Sequence, residues 1–213
     1  NHYTTPHDMA LIARAAFQNG TVSKIASTLS YQIPATQKAA ARTISLGHKM
    51  LYPNDSRYYA GIIGGKTGYT SKAGNTLVTA VERDGVRLIA VVMKSKSTHY
   101  TDTKALLDYG FDNFECKKMK ISKNPVPKKN LPSEQYLLNN WGNTYPFYYT
   151  KNVYVTVPTG TDLSVLTKKQ AILSNAVGPL RLKSKYYFND QMVGWGMQYE
   201  RSIMTSLLTT PTL

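Results

Sequence analysis

Gly64-Gly65-Lys66-Thr67-Gly68-Tyr69-Thr70-Ser71-Lys72-Ala73-Gly74-Asn75-Thr76-Leu77-Val78 is the stretch that decides how these 213 residues are read. Residues 62–69 have the composition of a strand, residues 70–74 form a turn-rich connection, and residues 76–81 make a second strand. Asp84-Gly85 is a hairpin turn, and residues 86–93 return as a third strand. The unbroken apolar run Leu88-Ile89-Ala90-Val91-Val92 marks that strand as buried on both faces. A helix is expected to open at Thr101 or Asp102 and to run to about Asn113. Leu107, Phe111 and Phe114 then stand at i, i+4 and i+7 as the stripe that packs it onto the sheet.

Upstream, Thr5, Pro6 and Asp8 form a helix start of the capping-box kind, with proline in the first turn. Met9, Ile12, Ala13, Ala16 and Phe17 recur at helical spacing, and Asn19-Gly20 stops the helix. Residues 23–33 read as mixed and partly extended. Residues 35–54 read as polar and irregular, with room for a short helix.

After Cys116 the character changes. Lys117, Lys118, Lys120, Lys123, Lys128 and Lys129, with Pro125, Pro127 and Pro132, read as a solvated linker or domain edge. Beyond it Val153, Val155 and Val157 alternate with Tyr154 and Thr156, and Leu180 and Leu182 with Arg181 and Lys183. Turn signals at Pro158-Thr159-Gly160, Gly178-Pro179 and Asn189-Asp190 divide the runs, as in a small all-β domain. The division expected is residues 1–115 and residues 116–213, an α+β domain with an antiparallel sheet followed by a small all-β domain.

The formal charge is +14, and it is uneven: residues 1–115 hold 13 basic and 8 acidic side chains, residues 116–213 hold 13 and 4. A cationic second domain favours an anionic surface or polymer. No aromatic residue interleaves with the lysine run, so nucleic acid is not the expected partner. A single cysteine allows no internal disulfide and no cysteine-based metal site. Cys116 has no evident activating partner and reads as packed at the domain junction. His2, His7 and His48 show no ligand spacing, so no metal is expected. No run of residues has the length and apolarity of a membrane-spanning helix.

Lys66-Thr67-Gly68 is the K-T-G element that accompanies S-x-x-K and S-D-N in penicillin-binding proteins and class A β-lactamases. The surrounding stretch resembles the active-site strand of D-alanyl-D-alanine carboxypeptidases. So do His2-Tyr3-Thr4-Thr5-Pro6-His7-Asp8-Met9-Ala10 and Tyr100-Thr101-Asp102-Thr103-Lys104-Ala105-Leu106-Leu107-Asp108-Tyr109-Gly110-Phe111, in the family's order. The resemblance implies a partial penicillin-binding-protein/β-lactamase-like transpeptidase domain with an appended β-rich domain. It further implies a serine enzyme that removes terminal D-alanine from peptidoglycan stem peptides through an acyl-enzyme, binds β-lactams, needs no cofactor and works outside the cytoplasmic membrane. Within it, Lys66 and Thr67 would hold the substrate's terminal carboxylate. Gly68 would let the substrate backbone lie close, and the backbone N–H of Tyr69 would be an oxyanion-hole donor. His99 falls where relatives often carry a carboxylate-binding Arg, with Lys94 and Lys96 nearby.

S-x-x-K does not occur in these residues, and Ser122-Lys123-Asn124 lies on the wrong side of K-T-G to serve as the middle motif. The nucleophile is therefore expected on an N-terminal segment of the same enzyme. Without it this chain is expected to be inactive, and stable only with that missing half or after pairing with a second copy. Two alternatives stand beside this reading, a class A-like β-lactamase and a non-catalytic cell-wall-binding module.

Overall fold

The structure, a computed structural model, describes residues 3–120, 126–127, 144–145, 147–149, 152–173 and 181–200. His2, Ser122-Lys123-Asn124, Lys128, Lys129 and the Gly178-Pro179 turn lie outside the described residues. The chain divides into two units, Asn1–Asn113 and Phe114–Leu213.

In the first unit, α1 (Pro6–Phe17) starts on Thr5, whose Oγ1 accepts from the Asp8 N–H at 3.1 Å. The Asp8 carboxylate takes the Thr5 hydroxyl proton at 2.9 Å, so the box closes through the hydroxyl. Asn19 does more than end this helix. Its Oδ1 accepts from the N–H groups of Thr21 and Val22 and so caps α2 (Gly20–Ser27), where a mixed, partly extended segment was expected. β1 (Ser30–Ile33) and β2 (Arg42–Ser45) pair antiparallel, and a 3-10 turn follows at Lys49–Leu51. The expected irregular region thus holds a strand and a turn. The Tyr52 hydroxyl sits 2.9 Å from the carbonyl oxygens of both Leu29 and Leu46, at the base of the β1–β2 hairpin.

β3 (Ile62–Thr70), β4 (Gly74–Arg83) and β5 (Val86–Ser95) form a three-stranded antiparallel sheet in sequence order. Asp84 and Gly85 both take positive φ, 49° and 75°, which suits the right-handed twist of a two-residue hairpin. α3 (His99–Asn113) begins ahead of the expected Thr101 because the Thr98 carbonyl accepts the Asp102 N–H and its hydroxyl donates to the Asp102 carboxylate. Phe114 leaves the helical stripe and opens the next strand instead.

The sheet is apolar on both sides, as the run in β5 requires. On one side Met50, Tyr59, Leu77, Val81, Ala90 and Leu107 form a core with Ile62, Leu88 and Phe111 against it. On the other, Ala13, Phe17 and Ala80 pack with Ala26, Ile63, Val78 and Ile89. Arg87 ties helix to sheet: its Nη1 donates to the Phe17 carbonyl at 2.8 Å while Nε and Nη2 bond Glu82. Arg83 lies over the rings of Tyr59 and Phe111, 4.3 and 4.7 Å from their centroids.

In the second unit the strands are β6 (Phe114–Lys118), β7 (Val126–Pro127), β8 (Thr144–Tyr145), β9 (Phe147–Tyr149), β10 (Tyr154–Pro158), β11 (Thr167–Leu173), β12 (Arg181–Phe188) and β13 (Gln191–Glu200). Among the described residues, β11-β12-β13-β10-β6 run in that order across one sheet, β9 also pairs β13, and β7 pairs β8. Val153, Val155, Val157 and Tyr186 build the core on one face. Lys117 and Lys118 stand in β6 rather than in a linker, and Lys117 Nζ meets Glu115 at 2.9 Å. Cys116 is exposed, not packed as expected, because it pairs with Thr156 on the face away from that core.

The sheet–α3 core yields a first test. Leu107 is 1 % exposed and Leu106 is 49 % exposed. Leu107→Ala is expected to lower stability by about 3 kcal/mol in urea unfolding, and Leu106→Ala by under about 0.5 kcal/mol. Equal losses would contradict this packing.

Candidate active site

β3 is the outer strand of its sheet, hydrogen-bonded to β4 alone among the described residues. Half of its backbone N–H and C=O groups therefore face away from the sheet, free to pair with an extended ligand. Lys66-Thr67-Gly68-Tyr69 lies in the middle and far half of this edge.

The approach to the edge is built from glycine. Gly64 has a φ of 154°, and a Cβ there would fall 2.5 Å from Phe17 Cε1. Gly65 faces the other way, where a Cβ would strike the His48 ring and lie 2.5 Å from the Val78 carbonyl oxygen. The two glycines thus let β3 pass between a phenyl ring and an imidazole. Gly68 has a comparable constraint: a Cβ would lie 2.6 Å from Thr76 Oγ1 on the neighbouring strand. Its lack of a side chain serves the sheet as well as any ligand.

Strand pleating sends Lys66 and Thr67 to opposite sides of β3. Lys66 pairs across the sheet with Val78, Thr67 with Leu77. Lys66 is exposed, its Nζ turns back to the Thr67 carbonyl, and no acidic side chain pairs with it among the described residues. Thr67 is half-buried with its hydroxyl against Gly47, where a Cβ would come within 3.1 Å. The Tyr69 ring is 71 % exposed beside them. An open apolar pocket in this unit lies between α2 and the hairpin, lined by Ile25, Tyr31, Ile44 and Leu46, and it includes none of these residues.

Behind β3 stands a polar cluster that the sequence did not reveal. His48 is fully buried and its Nε2 is 2.8 Å from Thr79 Oγ1. The Tyr100 hydroxyl donates to the Gly47 carbonyl at 3.2 Å and accepts from the Lys49 N–H at 3.3 Å, clamping the loop that carries His48. His99 stacks on the Tyr100 ring at 4.3 Å, and the Arg57 guanidinium lies 5.0 Å from the same ring while bonding Asp55. His48 Nδ1, His99 Nδ1 and Thr103 Oγ1 are buried without a partner among the described residues. Sequence offered little signal here, because lone histidines and tyrosines gain these roles only through contacts some 30 to 50 residues apart.

Burial holds His48 well below the usual histidine range, at about 4, and the nearby His99 adds to the effect. Burial, helped by the Arg57 charge and opposed by Asp102, also lowers His99. Both rings are then neutral at neutral pH. Any pairing of His99 as a cation with a carboxylate is confined to acidic solution. Lys94 and Lys96 are exposed, Lys94 with a positive φ of 56°.

The sign of the pH effect follows. An unfolded histidine takes a proton near pH 6.5, whereas folded His48 does so only near 4. The His48 contribution is therefore constant above about pH 6.5, and the folded state loses up to about 3 kcal/mol as pH falls from there toward 4. A side-chain NMR titration should give a His48 midpoint close to 4. A midpoint near 6.5 would mean that the imidazole is not sealed behind β3.

Residues 1–97 match the D-alanyl-D-alanine carboxypeptidase family, peptidase S11. The D-alanyl-D-alanine carboxypeptidase DacB2 of Mycobacterium tuberculosis is 32% identical over 115 residues, 51% of this chain and 36% of the relative. DacF of Bacillus subtilis is 23% identical over 188 residues, 85% of this chain and 42% of the relative. The chain thus spans less than half the length of these curated relatives. Among solved structures, the peptidoglycan synthesis regulatory factor PBP3 of Streptococcus pneumoniae superposes with a TM-score of 0.63 at 19% identity, over 92% of this chain and 55% of that one. DacD of Francisella tularensis gives 0.53 at 20% identity, over 94% and 60%. At those identities the likeness speaks to fold, which is the mixed helix and antiparallel-sheet architecture of penicillin-binding proteins. The match over residues 1–97 takes in the K-T-G element on the sheet edge, so it is this part of the first unit that resembles D-alanyl-D-alanine carboxypeptidases.

Proposed function

We propose that this chain is the C-terminal portion of a serine D-alanyl-D-alanine carboxypeptidase acting on peptidoglycan stem peptides outside the cytoplasm. The observation that carries the proposal is Lys66-Thr67-Gly68 on the unpaired edge of β3, within residues that match the family. A stem peptide ending in D-Ala-D-Ala lies extended along this edge. Lys66 supplies the cation for its terminal carboxylate, Thr67 brings its hydroxyl to the same group round the strand edge from the opposite face, and the Tyr69 N–H polarises the scissile carbonyl. The exposed, acid-free setting of Lys66 suits it to meet an incoming anion. β-Lactams, which carry the same carboxylate, occupy the same edge.

The serine that is acylated and the lysine that takes its proton lie on a segment carrying S-x-x-K, which these 213 residues do not contain. In this proposal the two parts form one active site, with the N-terminal segment as the other wall. A second copy of the chain does not supply the missing groups.

Labelling with a fluorescent penicillin tests this. The chain alone should gain no covalent mass. Joined to an N-terminal segment bearing S-x-x-K, it should give a labelled serine on that segment. Lys66→Ala should then slow labelling by about 100-fold or more, in line with loss of a charged group at a catalytic site. His99→Ala should change it by no more than about fivefold at pH 7.5, because the ring is neutral there. Label on the chain itself, or labelling indifferent to Lys66→Ala, would overturn the reading.

A further inference from the structure

One face of the second unit's sheet is unusual. Pairing across β11, β12, β13, β10 and β6 places Lys169 opposite Lys185, Lys185 opposite Trp195, and Tyr154 opposite Lys118. The Val155–Gly194 pair sets Tyr154 beside Trp195, which completes a single row across five strands. At the usual strand spacing the row is about 19 Å long. Ala171, Lys183 and Met197 form the row beside it. The opposite face holds the core, with Leu182, Ser184, Val155 and Val157 at 0–1 % exposure.

Two properties set this outer face apart from a solvated lysine face. Its rings stand in the open: Trp195 is 51 % and Tyr154 50 % exposed, with Met192 and Leu173 at 49 % and 40 %. Lysine ammonium groups flank the rings, Lys183 at 4.9 Å from the Trp195 ring and Lys169 at 4.9 Å from that of Tyr187. Its charge is also of one sign. Lys118, Lys169, Arg181, Lys183 and Lys185 share it with no acid among the described residues. Glu115 sits on the core side, bonded to Lys117 and to the Gly160 N–H, and Asp162 and Asp190 lie in turns. Nor does the paired outer face present an Asn, Gln, Asp or Glu side chain among the described residues.

We infer that this face docks on the surface of a bilayer containing anionic lipids. Its cations suit lipid phosphates, which accept hydrogen bonds and carry negative charge. Amphipathic rings with lysines beside them are the side chains that settle at the headgroup level. A neutral glycan fits less well, because its hydroxyl groups need acceptors that this face does not offer. The five-strand register sets these groups side by side on one sheet face, where they can meet a single surface.

The test uses the full chain and sedimentation with vesicles of phosphatidylcholine alone or with one-third phosphatidylglycerol. Binding should require phosphatidylglycerol and fall steeply with salt. Lys183→Glu with Lys185→Glu should weaken it about 30-fold or more, given the usual attraction per lysine near such a surface. A charge-matched control, Lys38→Glu with Lys104→Glu in the first unit, should weaken it far less. The chain has two tryptophans. In a Trp141→Phe background, brominated lipid should therefore quench Trp195, and Trp195→Ala should weaken binding about tenfold. Circular dichroism of each variant separates lost binding from lost fold. No binding to anionic vesicles, equal losses in the control, or a soluble polyphosphate that binds as tightly while Trp195 stays unquenched by lipid would each overturn the inference. None of these outcomes depends on the penicillin-labelling result.

Discussion

The first unit is organised around one steric constraint, the passage of Gly64 and Gly65 between the Phe17 ring and the His48 imidazole. A side chain at either position would collide with its ring or with the Val78 carbonyl. Because the constraint acts on backbone, it fixes how deep β3 sits, and with it the height of Lys66 and Thr67 at the sheet edge. The neighbouring loop repeats the device, as Gly47 rests against the Thr67 hydroxyl. Tyr100 then locks that loop from the far side. An outer strand with one hydrogen-bonded neighbour among the described residues needs such a backing to keep its geometry.

Much of this was legible in the sequence, and the reasons are local. The alternation and apolar runs of residues 62–93 gave the sheet, and Asp84-Gly85 gave its turn, since both positive φ values favour those residues. Thr5 and Asp8 marked the first helix by hydrogen bonds three residues apart. Failures came where one signal has two uses. Asn19-Gly20 ends one helix and caps the next, and a stop signal does not announce the second use. Phe114 continued a helical stripe on paper but joined a strand, because pairing with Pro158 competes with the last helical turn. The K-T-G element was plain, whereas its backing by His48, Tyr100 and Thr79 was not. Those contacts join residues distant in the chain, and no short pattern encodes them.

The two units divide their polar character differently. In the first, three arginines are tied down: Arg87 with Glu82 and the Phe17 carbonyl, Arg57 with Asp55, Arg83 against two rings and the Ala60 carbonyl. Lys66 stands on an exposed strand edge with no acidic side chain paired to it among the described residues. In the second, the outer sheet face carries Lys118, Lys169, Arg181, Lys183 and Lys185 with no acid beside them among the described residues.

The Tyr52 hydroxyl has a consequence of its own. It lies at the same distance, 2.9 Å, from the carbonyls of Leu29 and Leu46, one on each leg of the β1–β2 hairpin. A phenol has one proton, given to one of these acceptors or shared between the two as a three-centre bond. Between the same legs the Leu46 N–H donates to the Leu29 carbonyl at 2.8 Å. The hairpin root is thereby fastened twice, once by backbone and once by a side chain from the segment that follows it.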